Sequence, residues 1–131
     1  MNDAMPVADM IRTLNYDHER LREVGKRILD AIECCNVQSA CGDLLEFQLI
    51  QDSHFWFQNR LMEAASYPDR EDHIRCHDRM LRILTAINGV LCSGRFTALT
   101  TDLASFIEES LAHIPEMDEP FHEFLIREKS G

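Results

Sequence analysis

Glycine and proline, which most often form turns and interrupt helices, are scarce in this chain of 131 residues, with five and four copies. So few turn residues favour a small number of long elements. The chain also lacks an apolar run of membrane length and a secretory signal, so we expect a cytoplasmic protein with no membrane partner. Its five cysteines are odd in number and show no paired spacing, which favours reduced thiols over a disulfide framework.

Positive charge is also in short supply, because 13 Lys and Arg stand against 23 Asp and Glu, for a net charge of −10. An acidic surface repels nucleic acid and anionic lipid, which argues against both as partners. The hydrophobic share of 45% is that of a globular protein, and the length suits one domain. We therefore predict a single domain over residues 1–131, with a flexible arm at 1–8, a bundle at 9–118 and a tail or linker at 119–131.

Apolar residues recur every three or four positions along four segments, which predicts four amphipathic helices. The fold class we expect is all-α: an up-down-up-down four-helix bundle with a short C-terminal amphipathic segment. Pro115 should kink or end the last helix. The predicted helices start near Asp9, Gly42, Asp69 or Arg70, and Thr97, and the turns between them fall at Asn36–Gly42, Tyr67-Pro68-Asp69 and Ser93-Gly94.

Five of the six histidines lie on the inward faces of these helices. Histidines four residues apart on one helix share a face. Four of the five lie roughly 14 to 17 residues from a turn between helices, and the fifth lies one helical turn from one of these four. These distances place all five at one height in the bundle. A single buried histidine is usually an ordinary hydrogen-bonded core residue, but five imidazoles in one layer exceed the partners of a small apolar core. A metal satisfies them together. The layer contains His18, His54, His73, His77 and His113, with Gln58 one turn after His54.

This donor set predicts two metal ions. Five imidazoles exceed the needs of one tetrahedral zinc ion, and Asp118 adds a carboxylate just beyond His113. Imidazole and carboxylate donors suit iron, zinc or nickel, so ligand type leaves the element open. The predicted metal ligands are His18, His54, His73, His77, His113 and Asp118, with Gln58 and Glu109 as further candidates for coordination or for contact with a ligand.

In these residues the sequence resembles the hemerythrins and their bacterial relatives. The resemblance covers roughly Asn15–Asp118 and implies two non-haem irons joined by an oxo or hydroxo bridge, with O2 or a related small diatomic bound at one of them. It also implies that His73, His77 and His113 hold one iron, that His18 and His54 hold the other, and that Asp118 bridges them. The motifs that carry it are Asp17-His18, His54-Phe55 with Leu61-Met62, Tyr67-Pro68, His73-x3-His77, and His113-Ile114 followed by Asp118.

The chain departs from the family pattern at the second bridging carboxylate. Where the family has two glutamates, this chain has Gln58 and Asn59, and the first of those glutamates bridges the irons. Glu109 stands where the family usually has Trp; it shares a face with His113 and is a candidate replacement carboxylate. Loss of an anionic bridge disfavours the ferric state, weakens iron binding and opens a coordination position.

These departures favour a site that reacts with O2 but retains it poorly. We therefore expect an oxygen or redox sensor, as the regulatory part of a larger signalling protein with an output domain C-terminal to it. The alternatives are a small O2-binding carrier or storage protein, a diiron oxidase or peroxidase, and a metal-free helical interaction module. A stable oxygenated spectrum would indicate the carrier, turnover of a reductant the enzyme, and absence of metal the module.

Overall fold

The computed structural model describes residues 5–92 and 100–130, and all regular structure within them is helical. The elements are α1 (Val7–Glu33), α2 (Val37–Ala64), α3 (Arg70–Cys92), α4 (Thr100–His113), a π-helical turn (Ile114–Asp118) and α5 (Glu119–Ser130). The turn predicted at Ser93-Gly94, the helix start predicted near Thr97 and the first half of the predicted arm lie outside the described residues.

The four long helices form a ring in which α1 packs against α2 and α4, and α3 packs against the same two helices. Short connections make consecutive helices antiparallel. The predicted all-α, up-down-up-down bundle is therefore confirmed, and α5, which packs against α1, is the predicted C-terminal segment. In the part of the chain that the structure describes, no helix is long and apolar enough to cross a membrane.

Two apolar clusters fill the bundle, and the histidines lie between them. On α1, His18 follows Leu14 of the smaller cluster by one turn and precedes Leu21 of the larger cluster by about one turn. The smaller cluster also includes residues of α5, so the core extends beyond the predicted bundle boundary at Asp118. Its buried members are Leu14, Met62, Tyr67, Phe121 and Leu125.

The turn between α1 and α2 is shorter than the sequence predicts, because α2 begins at Val37 rather than near Gly42. Cys35 takes the left-handed conformation, with φ of 57°. The backbone N–H groups of Cys35 and Asn36 then donate to carbonyls in the last turn of α1, which is the Schellman arrangement. Asn36 caps α2 by accepting a hydrogen bond from the Ser39 backbone N–H at 3.2 Å.

The α-helical part of the last bundle helix ends at His113, and Pro115, which was expected to kink or end that helix, lies within a π-helical turn that joins α4 to α5. The backbone N–H of Glu119 donates to the carbonyl of Ile114, the five-residue step that defines this turn. The wider turn rotates Asp118 onto the same side as His113, and their side chains approach to 3.0 Å. A local change of helix type therefore positions a residue of the histidine layer.

Candidate metal centre

In the described residues, six buried side chains form two overlapping groups of candidate metal ligands, and Asp118 belongs to both. Within each group the ligand atoms lie within 4.8 Å of one another. None of the six residues is more than 5% exposed. The first group is His73, His77, His113 and Asp118, and the second is His18, His54 and Asp118.

The two carboxylate oxygens of Asp118 face different groups. Its Oδ1 lies 2.9 Å from Nε2 of His73 and 3.0 Å from Nε2 of His113. Its Oδ2 lies 2.8 Å from Nε2 of His18 and 3.3 Å from Nε2 of His54. One carboxylate thus offers one oxygen to each set of imidazoles, which is the arrangement that a bridge between two ions requires.

The imidazole nitrogens of the first group have the mutual spacing of ligands on one ion. Nε2 of His113 lies 3.1 Å from Nε2 of His73 and 3.2 Å from Nε2 of His77. Nitrogens bound at about 2.1 Å to a tetrahedral or octahedral ion are roughly 3.0–3.4 Å apart. A hydrogen bond between two imidazoles needs a proton on one of them, whereas a metal uses the lone pair of each.

Three histidines of the two ligand groups have a described hydrogen-bond partner at Nδ1, the nitrogen that faces away from the centre. A ligating histidine usually donates its other N–H to such a partner, which fixes the tautomer and the ring orientation. The sequence pattern gave Asn59 and Cys76 no such role, because they sit beside the ligands in sequence and off their helix face. The contacts are His54 with Asp17 Oδ2 at 3.1 Å, His77 with Asn59 Oδ1 at 2.7 Å, and His113 with Cys76 Sγ at 3.5 Å.

Electrostatics keep Asp118 ionised despite its burial. Burial opposes the charge, but hydrogen bonds from four histidines outweigh it and hold the pKa of Asp118 well below its ordinary value. Burial also lowers the pKa of His54, yet hydrogen bonds to Asp118 and Asp17 prevail, so that its pKa is raised. The centre therefore holds a fixed negative charge and favours a proton at His54, which an entering cation would displace.

His77 is held in its neutral form. Burial first, and then the neighbouring imidazoles of His73 and His113, lower the pKa of His77 to about 2. Because only neutral imidazole can coordinate a metal, His77 needs no deprotonation to act as a ligand near neutral pH.

Of the two further candidates, Gln58 is buried at the layer and Glu109 is not. Gln58 is 0% exposed, and neither its Oε1 nor its Nε2 has a hydrogen-bond partner in the structure. Glu109 instead forms an ion pair with Arg79 at 2.8 Å, and its side chain is 46% exposed. The structure therefore does not bring Glu109 into either ligand group.

His122 is the one histidine outside the predicted layer, and the structure buries it against His18. It is 7% exposed, and its ring stacks on that of His18 with centroids 5.4 Å apart and planes within 7°. Its Nε2 has no hydrogen-bond partner, and burial lowers its pKa to about 4. The signal in the sequence is its spacing, four residues after Asp118, which repeats that of His73 and His77.

No family model, no curated protein and no solved structure matches this chain. The fold and the centre therefore define its class by themselves. The protein is an all-α bundle with a buried His/Asp cluster that could hold metal.

Proposed function

We propose that this chain is a hemerythrin-like, non-haem diiron domain that binds O2 or a related small diatomic and acts as an oxygen or redox sensor. The observation that carries the proposal is the division of Asp118 between two histidine groups. A single ion would use one group and leave the other imidazoles unexplained. Two ions side by side use both groups and the shared carboxylate.

The donor types fit iron. Each group combines imidazole nitrogens with a carboxylate oxygen, a set that suits iron, zinc or nickel. The resemblance of His54-Phe55, His73-x3-His77 and His113-x4-Asp118 to the hemerythrin motifs favours iron among these. A pair of irons would exchange electrons with O2. The side chains would hold and orient the irons and shield them from solvent.

Unpaired polar atoms around the layer support a bound group there. In the described residues, buried polar atoms without hydrogen-bond partners each belong to a candidate ligand or lie within four residues of one, although such atoms are normally paired. An ion and the molecules it coordinates would supply partners for several of them. These atoms are Gln51 Oε1, both side-chain amide atoms of Gln58, His73 Nδ1, Ser110 Oγ and His122 Nε2.

The burial of the candidate ligands favours a small molecule as the reactant. None of the six side chains is more than 5% exposed, so a diatomic can reach them with far less rearrangement than a bulky organic substrate. This observation supports gas binding or sensing over oxidation of a large substrate.

The connection between Asp118 and α5 supports a sensing role. A sensor must have two structures whose balance the ligand shifts. Asp118 directly precedes α5, and α5 is anchored by Phe121, whose ring centroid lies 5.0 Å from that of Tyr67. A change of charge or bridging at Asp118 would act directly on α5, the segment nearest to the proposed C-terminal output domain.

Metal analysis tests the diiron site. Protein purified from iron-supplemented cells should contain two irons per chain, and His77→Ala should lose most of the metal. Asp78→Ala, which changes an exposed neighbour on the same helix, is the matched control and should retain it. One zinc per chain and no iron would refute the diiron assignment.

Hydrogen exchange tests the sensing role separately. Amides of α5 should differ in protection between the reduced and the oxidised iron-loaded protein, whereas those near Leu84 on α3, in the larger apolar cluster, should not. Equal protection of α5 in both states would remove the transmission route and favour the carrier.

A further inference from the structure

The two ligand groups are unequal. The first offers three imidazoles and Asp118, whereas the second offers two imidazoles, His18 and His54, and the same Asp118. Two histidines and one carboxylate leave coordination positions open on an iron-type ion. The second ion therefore has room for another ligand from the chain.

His122 lies beside the second ligand group, against His18. Its ring centroid is 5.4 Å from that of His18. Histidine rings that belong to one group have similar separations, which are 4.8 Å for His18 and His54, and 4.5 Å for His73 and His77. The centroid separation of His122 and His18 is thus close to the separations within the groups, but these two rings are stacked within 7° of parallel, whereas the grouped pairs cross at 68° and 61°.

The nitrogen of His122 is buried without a partner. Its Nε2 has no hydrogen bond in the structure, although the residue is only 7% exposed. In the described part of the bundle, His18, His54, His73, His77 and His113 all have an Nε2 that contacts Asp118 or another histidine of the layer. A buried, unpaired imidazole nitrogen beside an incomplete ligand group has a free lone pair or N–H that calls for a partner, and a cation is one group that can supply it.

Packing of α5 holds His122 at this place. Phe121 and Leu125, on either side of it, are 0% and 5% exposed and belong to the smaller apolar cluster. Asp118 and His122 are four residues apart across the start of α5, so they share a face. The position of His122 therefore follows from the core and not from a loose terminus.

We propose that His122 is the third imidazole ligand of the second ion, binding through Nε2, so that each ion is held by three histidines and both share Asp118. This inference rests on the proposed two-metal function. His122 lies outside the three-residue group of closely spaced donors, so coordination requires its ring to shift toward His18 and Asp118. Imidazole is neutral, and it would fill a coordination position without adding charge.

Variants at His122 test the assignment. His122→Phe keeps a ring against His18 but removes the nitrogen, and His122→Asp places a carboxylate at the same position. Glu123→Gln, at the exposed neighbouring position, is the control. The measurements are iron content after desalting, stepwise titration of the metal-free proteins with Zn²⁺, and ¹⁵N NMR of histidine side chains in the zinc-loaded parent.

We expect the parent and Glu123→Gln to bind two ions, and His122→Phe to keep the first while binding the second at least about 100-fold more weakly, since loss of even an outer partner costs 10–100-fold. His122→Asp should recover part of the loss. In the zinc-loaded parent, the Nε2 resonance of His122 should have the shift of a metal-bound nitrogen.

Two results would overturn the inference while leaving the proposed function intact. One is a second ion bound by His122→Phe with parental affinity. The other is an Nε2 resonance for His122 with the shift of a nitrogen that binds no metal, in a parent that holds two zinc ions. A parent that binds fewer than two ions would instead refute the proposed function itself. Circular dichroism of the metal-free variants shows whether each is folded.

Discussion

Asp118→Asn is the substitution that most directly tests the shared carboxylate. It preserves the shape of a side chain that is 1% exposed and removes its charge. The carboxylate approaches four imidazole nitrogens at 2.8 to 3.3 Å, two with each oxygen. An amide offers one oxygen and one NH2 group, so it can accept from one side and must present donors to the other.

The expected loss of stability in the metal-free protein is large. Removing one partner of a buried charge pair costs about 3–5 kcal/mol, because the remaining group is left without compensation. The pKa of His54 is raised by its hydrogen bond to Asp118, so the variant should also lose the protonated form of that imidazole. We expect the free energy of unfolding to fall by about 3 kcal/mol near pH 6.

Asp118→Asn should also weaken the binding of both metal ions. Because each oxygen of Asp118 faces one ligand group, the variant should lose affinity for both ions together. Urea unfolding followed by circular dichroism measures the stability, and elemental analysis with Zn²⁺ titration measures both sites. Glu109→Gln is the matched carboxylate-to-amide control. Its exposed ion pair with Arg79 should contribute at most about 1 kcal/mol, and its metal content should be parental.

One result would refute this reasoning. If Asp118→Asn lost a single ion and bound the other with parental affinity, the carboxylate would serve one site and would not bridge two. A loss of stability no greater than that of the control would show that the four imidazole contacts carry little energy.

Three further predictions concern the same layer and its supporting turns. Gln58→Glu should destabilise the metal-free protein in urea, because it buries a charge at a site that is 0% exposed, yet it should slow the loss of iron to a chelator. His77 and His122 have pKa values of about 2 and about 4 in the folded protein, so as pH falls from about 6.5 to 4 both are protonated in the unfolded chain before they are protonated in the folded one. The urea midpoint of the metal-free protein should therefore decrease across that pH range. His54, whose pKa is raised on folding, changes stability in the opposite direction, and only above about pH 6.5. Ser66→Gly should raise the free energy of unfolding by about 1 kcal/mol, since Ser66 has φ of 52° and the left-handed region is unfavourable for a side chain.

The bundle was predictable because its seams follow a simple helical period. On α3, His73, His77, Met80, Leu84 and Ile87 follow one another at steps of three and four residues, and all five are at most 5% exposed. A period of three and four positions determines which side of a helix is apolar, independently of the partner it packs against. The same period placed the predicted ligands toward the centre.

The first turn was harder to locate because its chemistry is unusual. The helix-ending position is occupied by Cys35 with φ of 57°, where glycine is the common residue. Gly42, which looked like the end of the turn, lies inside α2 with open space around it. Gly42 therefore does not mark the boundary, whereas Asn36, which caps α2, does.

His122 was missed because the sequence was read with one helical geometry throughout. In a continuous α-helix, five residues correspond to a rotation of about 140° beyond a full turn, so His113 and Asp118 would face different directions. The π-helical turn at Ile114–Asp118 removes that offset. Once Asp118 faces the centre, the ordinary α-helical step of four residues carries His122 to the same side. One segment, in which the helix changes type at Pro115, thus carries three candidate metal ligands: His113, Asp118 and His122. Since such turns are frequent at functional sites, the irregular backbone and the additional histidine are best understood as one feature of the centre.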